Sequence, residues 1–332
     1  MTLLSIRGLS VDIPVEGGRV SAVRGLSLQA DRGEVLGIVG ESGSGKTVAC
    51  SAVLGLVPPG SRVAGSIRLD GREMVGASRA DLRRLRGSAV GMIFQDPAAA
   101  LNPVVRVGVQ VAEAYRAHHR VPRRAAWDEA VAALDRVGIP QARLRADAFP
   151  HEFSGGMLQR VMIAMAIINE PALIVADEPT SALDVTVQAQ VLATLLELTQ
   201  RLGAAMLLIS HDLGLVGQAA DRMLVMYAGR AVEVAGAGEV IAHPRMPYTA
   251  GLLGSISPGD QDRLVPIPGA PPLMVEPPTG CPFAPRCPLA SQVCRDEPGL
   301  LDTDRPGHPS ACHHWRAVAA APDPRALFRG AR

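Results

Sequence analysis

Three groups of residues in this 332-residue chain have types and spacings that can do chemistry. The first is Gly40-Glu41-Ser42-Gly43-Ser44-Gly45-Lys46-Thr47, which fits the pattern G-x-x-x-x-G-K-[ST]. Its glycines let the backbone curl so that N–H groups point inward at an anion, and a helix opening at Lys46 adds the partial positive charge of its N-terminus. Lys46 would reach the β- and γ-phosphates of a nucleotide, and the Thr47 hydroxyl would complete a Mg²⁺ shell. The second group is Asp177-Glu178, which closes the apolar run Leu173 to Ala176. Asp177 suits a Mg²⁺ contact, usually through water, and Glu178 suits polarising an attacking water. An acidic strand end is weak alone; beside the glycine-rich loop it points to hydrolysis of a nucleoside triphosphate. The third group is Cys281, Cys287, Cys294 and Cys312, separated by 5, 6 and 17 residues among many prolines.

The elements that must position these groups are legible in the pattern. A hairpin is expected from the alternation over residues 4–13 and 20–28, and Glu34 to Val39 reads as a buried strand. A helix is expected from Lys46 to Leu56, a hairpin at Asp70-Gly71 and a strand from Val90 to Phe94. Residues 104–148 read mostly as helices broken at Pro122 and Pro140, followed by a helix from Leu158 to Ile168. Short strands at Leu173 to Ala176 and Ala205 to Ile209 alternate with helices, which favours a largely parallel sheet covered on both faces. Ser154, Gly155 and Gly156 precede the helix at Leu158. Ser154 can cap it, and the glycines let a phosphate approach its N-terminus. A second anion-binding helix end beside one nucleotide loop suggests a site shared between two subunits.

Composition narrows the classes. Lys plus Arg total 33 and Asp plus Glu 32, a net charge of +1 that argues against a nucleic-acid coat. Aromatic residues make up 3%, too few for a base-stacking platform. No stretch reaches the 18 or more apolar residues that span a bilayer, and the N-terminus lacks a signal-peptide layout, so the chain is expected to be cytosolic. Four clustered thiols there are not a disulfide framework. In a loop-rich segment they point to a metal centre standing in for a hydrophobic core: an iron–sulfur cluster, a zinc ion or, with neither, plain reduced thiols. Cys50 is expected in the core, His118-His119 on a solvated helix face, and His308, His313 and His314 in solvent. Residues 256–288 are rich in Pro and Gly and mark a boundary, and the last dozen residues read as a loosely tied tail.

The motifs over residues 1 to about 250 resemble those of ATP-binding-cassette ATPases, in that family's order: the phosphate loop at 40–47, Gln95 after a strand, Ser154-Gly155-Gly156, Asp177-Glu178, Ser181-Ala182-Leu183-Asp184 and Ser210-His211-Asp212. The resemblance implies an α/β P-loop NTPase with a mixed sheet on a RecA-like core, an antiparallel β-subdomain and a helical subdomain at about 101–165. It implies that ATP and Mg²⁺ bind at Gly40, Ser42, Gly43, Ser44, Gly45, Lys46, Thr47 and Asp177. It further implies that Glu178 is the catalytic base, that His211 contacts the γ-phosphate and that Gln95 senses Mg²⁺ and the membrane partner. Ser154, Gly155 and Gly156 would face the other cassette's phosphate loop in a head-to-tail dimer, with Asp184 coupling the two sites. Two positions depart from the pattern. Ile13 stands where the family usually stacks an aromatic ring on adenine, so apolar contact is expected instead. The signature begins with Phe153 and ends with Met157 where Leu and Gln are usual, leaving Ser154 and both glycines intact.

Wider wording, including Ile93-Phe94-Gln95-Asp96-Pro97, Pro247-Tyr248-Thr249 and Ile267-Pro268-Gly269, is similar to the dipeptide, oligopeptide and nickel importer branch. That branch implies two membrane-spanning permeases, a second cassette (identical or paralogous), an extracytoplasmic binding protein and no nucleic acid. It places the chain peripherally on the cytoplasmic face of the membrane, with a cassette over 1–250 and an extension over 251–332. Branch members with the Gly280-to-Cys287 wording are associated with a [4Fe–4S] cluster, which favours that group over Zn²⁺; its role is left between a structural staple, the plainer reading, and redox sensing. Nickel import is the neighbouring alternative. A soluble cassette acting on ribosomes or DNA is disfavoured, because the chain shows neither a second cassette nor a long coiled-coil insertion.

Overall fold

The structure, a computed structural model, describes residues 1–181, 183–255, 266–272, 274–275 and 277–329. Ala182 and the 256–265 part of the Pro- and Gly-rich stretch lie outside the described residues. The strands are β1 (Thr2–Val15), β2 (Gly18–Asp31), β3 (Val35–Val39), β4 (Arg62–Leu69), β5 (Arg72–Glu73), β6 (Val90–Ile93), β7 (Leu173–Asp177), β8 (Ala205–Ser210), β9 (Arg222–Tyr227) and β10 (Arg230–Gly236). The helices are α1 (Lys46–Val53), α2 (Arg79–Leu85), α3 (Pro97–Ala100), α4 (Val107–Arg116), α5 (Arg123–Arg136), α6 (Ala142–Arg145), α7 (Gly155–Ile167), α8 (Val185–Leu202), α9 (Leu213–Ala219), α10 (Ala237–Ala242), α11 (Pro247–Gly254) and α12 (Trp315–Ala320). The chain divides into two compact units, one of Met1–Leu3, Ala30–Glu34 and Gly76–Ile209, the other of Leu4–Gln29, Val35–Val75 and Ser210–Arg332.

In the first unit β6, β7 and β8 pair in parallel, with Val90 opposite Leu173 and Asp177 opposite Ile209. Every residue of β7 is buried, as befits a parallel strand covered on both faces. A Cβ at Gly91 would lie 2.3 Å from the Ala166 carbonyl, so the missing side chain lets α7 close onto β6. The expected helices over 104–148 are α4, α5 and α6, with Pro122 at the N-cap of α5. α7 starts three residues before the expected Leu158, because Ser154 accepts from the Met157 N–H and caps the turn that Gly155 opens. His118 and His119 lie in the turn beyond α4, not on a helix face, and His119 stacks on Tyr115 at 4.1 Å.

The second unit holds a sheet in the order β2-β1-β4-β5, with β1 and β4 antiparallel. It also holds β9 paired in parallel with β3 and antiparallel with β10, a mixed arrangement. All five residues of β3 are buried. Cys50 is 2% exposed in α1, as expected of a core residue. The segment after residue 266 contributes to an apolar cluster: Phe283, Val318 and Phe328 are at most 3% exposed, and Phe283 packs against Tyr227 of β9 and Tyr248 of α11. The four cysteines therefore do not replace a hydrophobic core, and the last dozen residues are not loose throughout, because Phe328 packs 6.3 Å from Phe283.

Candidate functional site

In the second unit β3 ends at Val39 and the backbone turns through three left-handed glycines: Gly40 at φ 150°, Gly43 at φ 79° and Gly45 at φ 97°. A Cβ at Gly40 would lie 2.2 Å from the Met226 carbonyl, and one at Gly45 would lie 2.2 Å from the Ala22 carbonyl. Those two positions therefore need glycine for space as well as for backbone angle, whereas Gly43 needs it for angle alone. Lys46 is 6% exposed and donates to the carbonyls of Gly40 at 2.7 Å and Glu41 at 2.9 Å. Ser44 is buried beneath the loop, while Ser42 and Thr47 are exposed. α1 has no acidic residue in its first turn and no side-chain cap, so its leading N–H groups remain suited to an anion. The loop's neighbours escaped the sequence reading. The Glu41 N–H donates to the Tyr248 hydroxyl at 2.7 Å, and its carboxylate receives both terminal nitrogens of Arg286 at 2.6 and 2.9 Å. Gly280 directly before Cys281 was the available signal for a tightly packed segment. Nothing local announces a partner 245 residues away. His211 is exposed beyond β8; the adjoining turn is fixed by the Asp212 N–H on Ser210 Oγ and the Asp212 carboxylate capping α9.

In the first unit Asp177 ends β7 at 5% exposure. Glu178 follows at φ 47°, a left-handed conformation that costs a non-glycine residue about 1–3 kcal/mol and turns the chain sharply at the strand tip. Gln95 Nε2 donates to Glu178 Oε2 at 3.0 Å, and both the N–H and the hydroxyl of Ser181 donate to the Glu178 carbonyl. The predicted base and the predicted sensor are thus in contact. Ser154 and Gly155 are exposed at the start of α7. Gly156 has a packing reason as well as the expected phosphate access, since its Cβ would lie 2.4 Å from Val187 Cγ1 on α8. Asp184 caps α8 by accepting from the Val187 N–H at 3.0 Å. Phe153, the departure from Leu, is 8% exposed, with the Arg145 guanidinium 5.9 Å from its ring centroid.

The cysteines are reduced and lie in one segment of the second unit. The Cys281 N–H donates to the Cys294 carbonyl at 2.8 Å, an approach that a Cβ at Gly280 would block at 2.6 Å from the same oxygen. Burial raises the thiol of Cys281, pushes Cys287 up to about 11 and pushes Cys312 up to about 12, and the neighbouring thiols add to each. Backbone N–H groups of Phe283, Leu289 and His314 oppose this by donating to the sulfurs of Cys281, Cys287 and Cys312. Among the described residues, no three Cys, His, Asp or Glu side chains are gathered to hold one metal ion. His308 is not solvated: it is 2% exposed and its Nε2 lies 2.7 Å from the buried Glu233 carboxylate. His313 and His314 pair with the Asp296 carbonyl and Ser291 Oγ.

The model of the ABC transporter family matches residues 23–181, covering the phosphate loop, Gln95, the signature and Asp177-Glu178. A second model, the C-terminal region of oligopeptide/dipeptide transporters, matches 232–294, including three of the four clustered cysteines. The oligopeptide transport ATP-binding protein OppD of Salmonella typhimurium is 45% identical over 93% of this chain and 93% of its own. This chain belongs to the ATP-binding-cassette transporter family. Within the family it is also 46% identical to the dipeptide transport ATP-binding protein DppD of Bacillus subtilis, over 88% of each chain. The OppD of Mycobacterium tuberculosis is 53% identical, and there the chain spans about half the length of its relative, 51%. A solved cassette, cbiO1 from Clostridium perfringens, superposes with a TM-score of 0.62 at 28% identity, over 73% of this chain and 91% of that one. The dimeric cassette MJ0796, with ADP and Pi, gives 0.64 at 23% identity over 71% of this chain and 99% of its own, which shows the cassette fold. Among the described residues no helix is long and apolar enough to cross a membrane.

Proposed function

We propose that this chain is the ATP-hydrolysing subunit of a dipeptide or oligopeptide importer, bound peripherally at the cytoplasmic face of the membrane beneath two permeases. The observation that carries the reading is the 45% identity to an oligopeptide transport ATP-binding protein across 93% of both chains. A second cassette, identical or paralogous, completes the pair, and an extracytoplasmic binding protein delivers the peptide. Residues 1–250 act as the cassette and 251–332 as its extension.

Each site residue then has a task. Lys46 and the N–H groups from Ser42 to Thr47 hold the β- and γ-phosphates, and His211 contacts the γ-phosphate. The oxygen donors of Thr47 and Asp177 suit Mg²⁺, which would neutralise charge on the phosphate oxygens. Glu178 orients and deprotonates the attacking water, with Gln95 fixing its carboxylate. Ser154, Gly155 and Gly156 complete the partner's site on closure, and Asp184 couples the two sites. Hydrolysis reopens the dimer, and the cycle of closure and opening drives the permeases. For the cysteines we propose a [4Fe–4S] cluster acting as a structural staple. The support is the ordered backbone about the sulfurs, with the Cys281 N–H on the Cys294 carbonyl at 2.8 Å and the His314 N–H on Cys312 Sγ at 3.3 Å. Cys281, Cys287, Cys294 and Cys312 would hold it as thiolates, and it would tie together the loops that carry them.

The deciding experiment is affinity purification of the chain from gently solubilised native membranes, with mass spectrometry of what accompanies it. Two permeases and a peptide-type binding protein establish the importer and reveal the second cassette. Permeases with a nickel-binding protein move the substrate to the metal. Ribosomes or chromatin without any permease overturn transport.

A further inference from the structure

The phosphate loop is gripped from outside at Glu41. Three separate groups hold this one residue: its N–H donates to Tyr248, its carbonyl accepts from Lys46 at 2.9 Å, and its carboxylate accepts the two-pronged Arg286 contact at 2.6 and 2.9 Å. Arg286 is itself fixed. Its side chain is 5% exposed, and its Nε donates to the Pro268 carbonyl at 2.9 Å. The guanidinium also lies 5.9 and 5.8 Å from the ring centroids of Tyr227 and Phe283. Tyr248 is fully buried and packs on both rings, at 4.6 and 5.3 Å. A loop with glycines at 40, 43 and 45 loses more conformational freedom on binding than other sequences, and an anchor at Glu41 removes part of that cost in advance.

We propose that Arg286 and Tyr248 are positioning residues for the phosphate loop, holding Glu41 so that the loop is preshaped for the nucleotide. The proposal rests on the nucleotide-binding reading above. It differs from simple charge neutralisation, because Arg286→Lys keeps the charge but not the planar fork that meets both carboxylate oxygens. It also differs in sign at Glu41: relief of repulsion alone would make Glu41→Gln bind ATP more tightly, whereas loss of the anchor makes it bind more weakly.

The test is Mg²⁺-ATP binding by the full chain, followed with a fluorescent ATP analogue, alongside thermal melting and steady-state hydrolysis. Arg286→Ala, Arg286→Lys and Glu41→Gln are expected to weaken binding about tenfold, the scale of one lost charge-assisted contact. Tyr248→Phe is expected to weaken it less. KM should rise in each while kcat at saturating ATP stays within about twofold, as for loss of uniform binding. Wild-type affinity in Arg286→Lys, tighter binding by Glu41→Gln, or a lowered melting temperature with unchanged affinity would each overturn the proposal. If Arg286→Ala fails to fold, Arg286→Lys and Tyr248→Phe decide. No ATP binding by the wild type sinks the nucleotide reading itself, an outcome distinct from variants that match a wild type that binds.

Discussion

Gln95 and Glu178 are 83 residues apart in sequence and share one hydrogen bond, from Nε2 of the amide to Oε2 of the carboxylate at 3.0 Å. Gln95 can only donate with that nitrogen, so the contact fixes the orientation of the carboxyl oxygen that receives it. Glu178→Gln is expected to lower kcat about 10²–10⁴-fold, the usual contribution of a positioned base, while ATP still binds. Gln95→Ala, which removes one donor to that carboxylate, is expected to lower kcat about tenfold with ATP affinity retained. Single-turnover hydrolysis beside equilibrium binding separates the two effects. Full turnover in Glu178→Gln would remove it as the base.

The glycines of the phosphate loop give a graded prediction. Gly43→Ala meets open space and pays only for its left-handed backbone, about 1–2 kcal/mol. Gly45→Ala pays a similar cost and also drives a methyl to 2.2 Å from the Ala22 carbonyl, so it is expected to melt lower than Gly43→Ala and to lose nucleotide binding. Lys46→Ala is expected to weaken ATP about a hundredfold or more without a comparable drop in melting temperature. Melting curves with and without Mg²⁺-ATP check all three.

Sequence was informative where local rules decide. The turn from β3 into α1 admits only glycine at Gly40 and Gly45, and an apolar run closed by two carboxylates marks a strand tip whose charges need polar partners, so both motifs could be read directly. α7 begins three residues ahead of the expected Leu158 because the Ser154 cap offsets the poor helix propensity of Gly155 and Gly156. The remaining misreadings share a different cause. His308 looks like one polar residue in a polar segment until Glu233, on β10, is brought against it across 75 residues. Arg286 carries no local signal of its own either: Glu41, 245 residues away, and the rings of Tyr227 and Phe283 surround it only in the fold. Four of the chain's ten Phe, Trp and Tyr residues (Tyr227, Tyr248, Phe283 and Phe328) gather in one cluster, so a low aromatic fraction hid a concentrated core.

That buried polar set also makes stability depend on pH. Arg245 is 5% exposed, and Asp304 accepts its Nε and a terminal nitrogen at 2.7 and 3.0 Å. The hydrogen bonds from Arg245 hold the Asp304 carboxyl below its ordinary 3.8. A depressed carboxyl contributes stability that is present above the unfolded value and lost as pH falls through the folded one. Because Asp304 is half exposed, Asp304→Asn is expected to cost only about 1 kcal/mol at pH 7. The gap between the two proteins should narrow as pH falls below about 4. Chemical denaturation at pH 7, 5 and 3 measures this, and a gap that widens in acid would contradict it.

The cysteines carry the last prediction. With Cys287 pushed up to about 11 and Cys312 up to about 12, a metal-free chain at neutral pH holds thiols, not thiolates. Any metal centre must therefore displace protons, which makes its assembly weaken as pH falls. An anaerobically purified chain is expected to be brown and to carry about four irons and four acid-labile sulfides. Cys287→Ser should lose them. A structural staple adds a consequence that an idle cluster would not: removing it should loosen Arg286, the residue next to Cys287, and so raise the KM for ATP toward that of Arg286→Lys. Zinc in place of iron would keep the staple and change its metal. Colourless protein with neither metal, and with an unchanged KM in Cys287→Ser, would leave four reduced thiols packed beside an apolar core that holds without them.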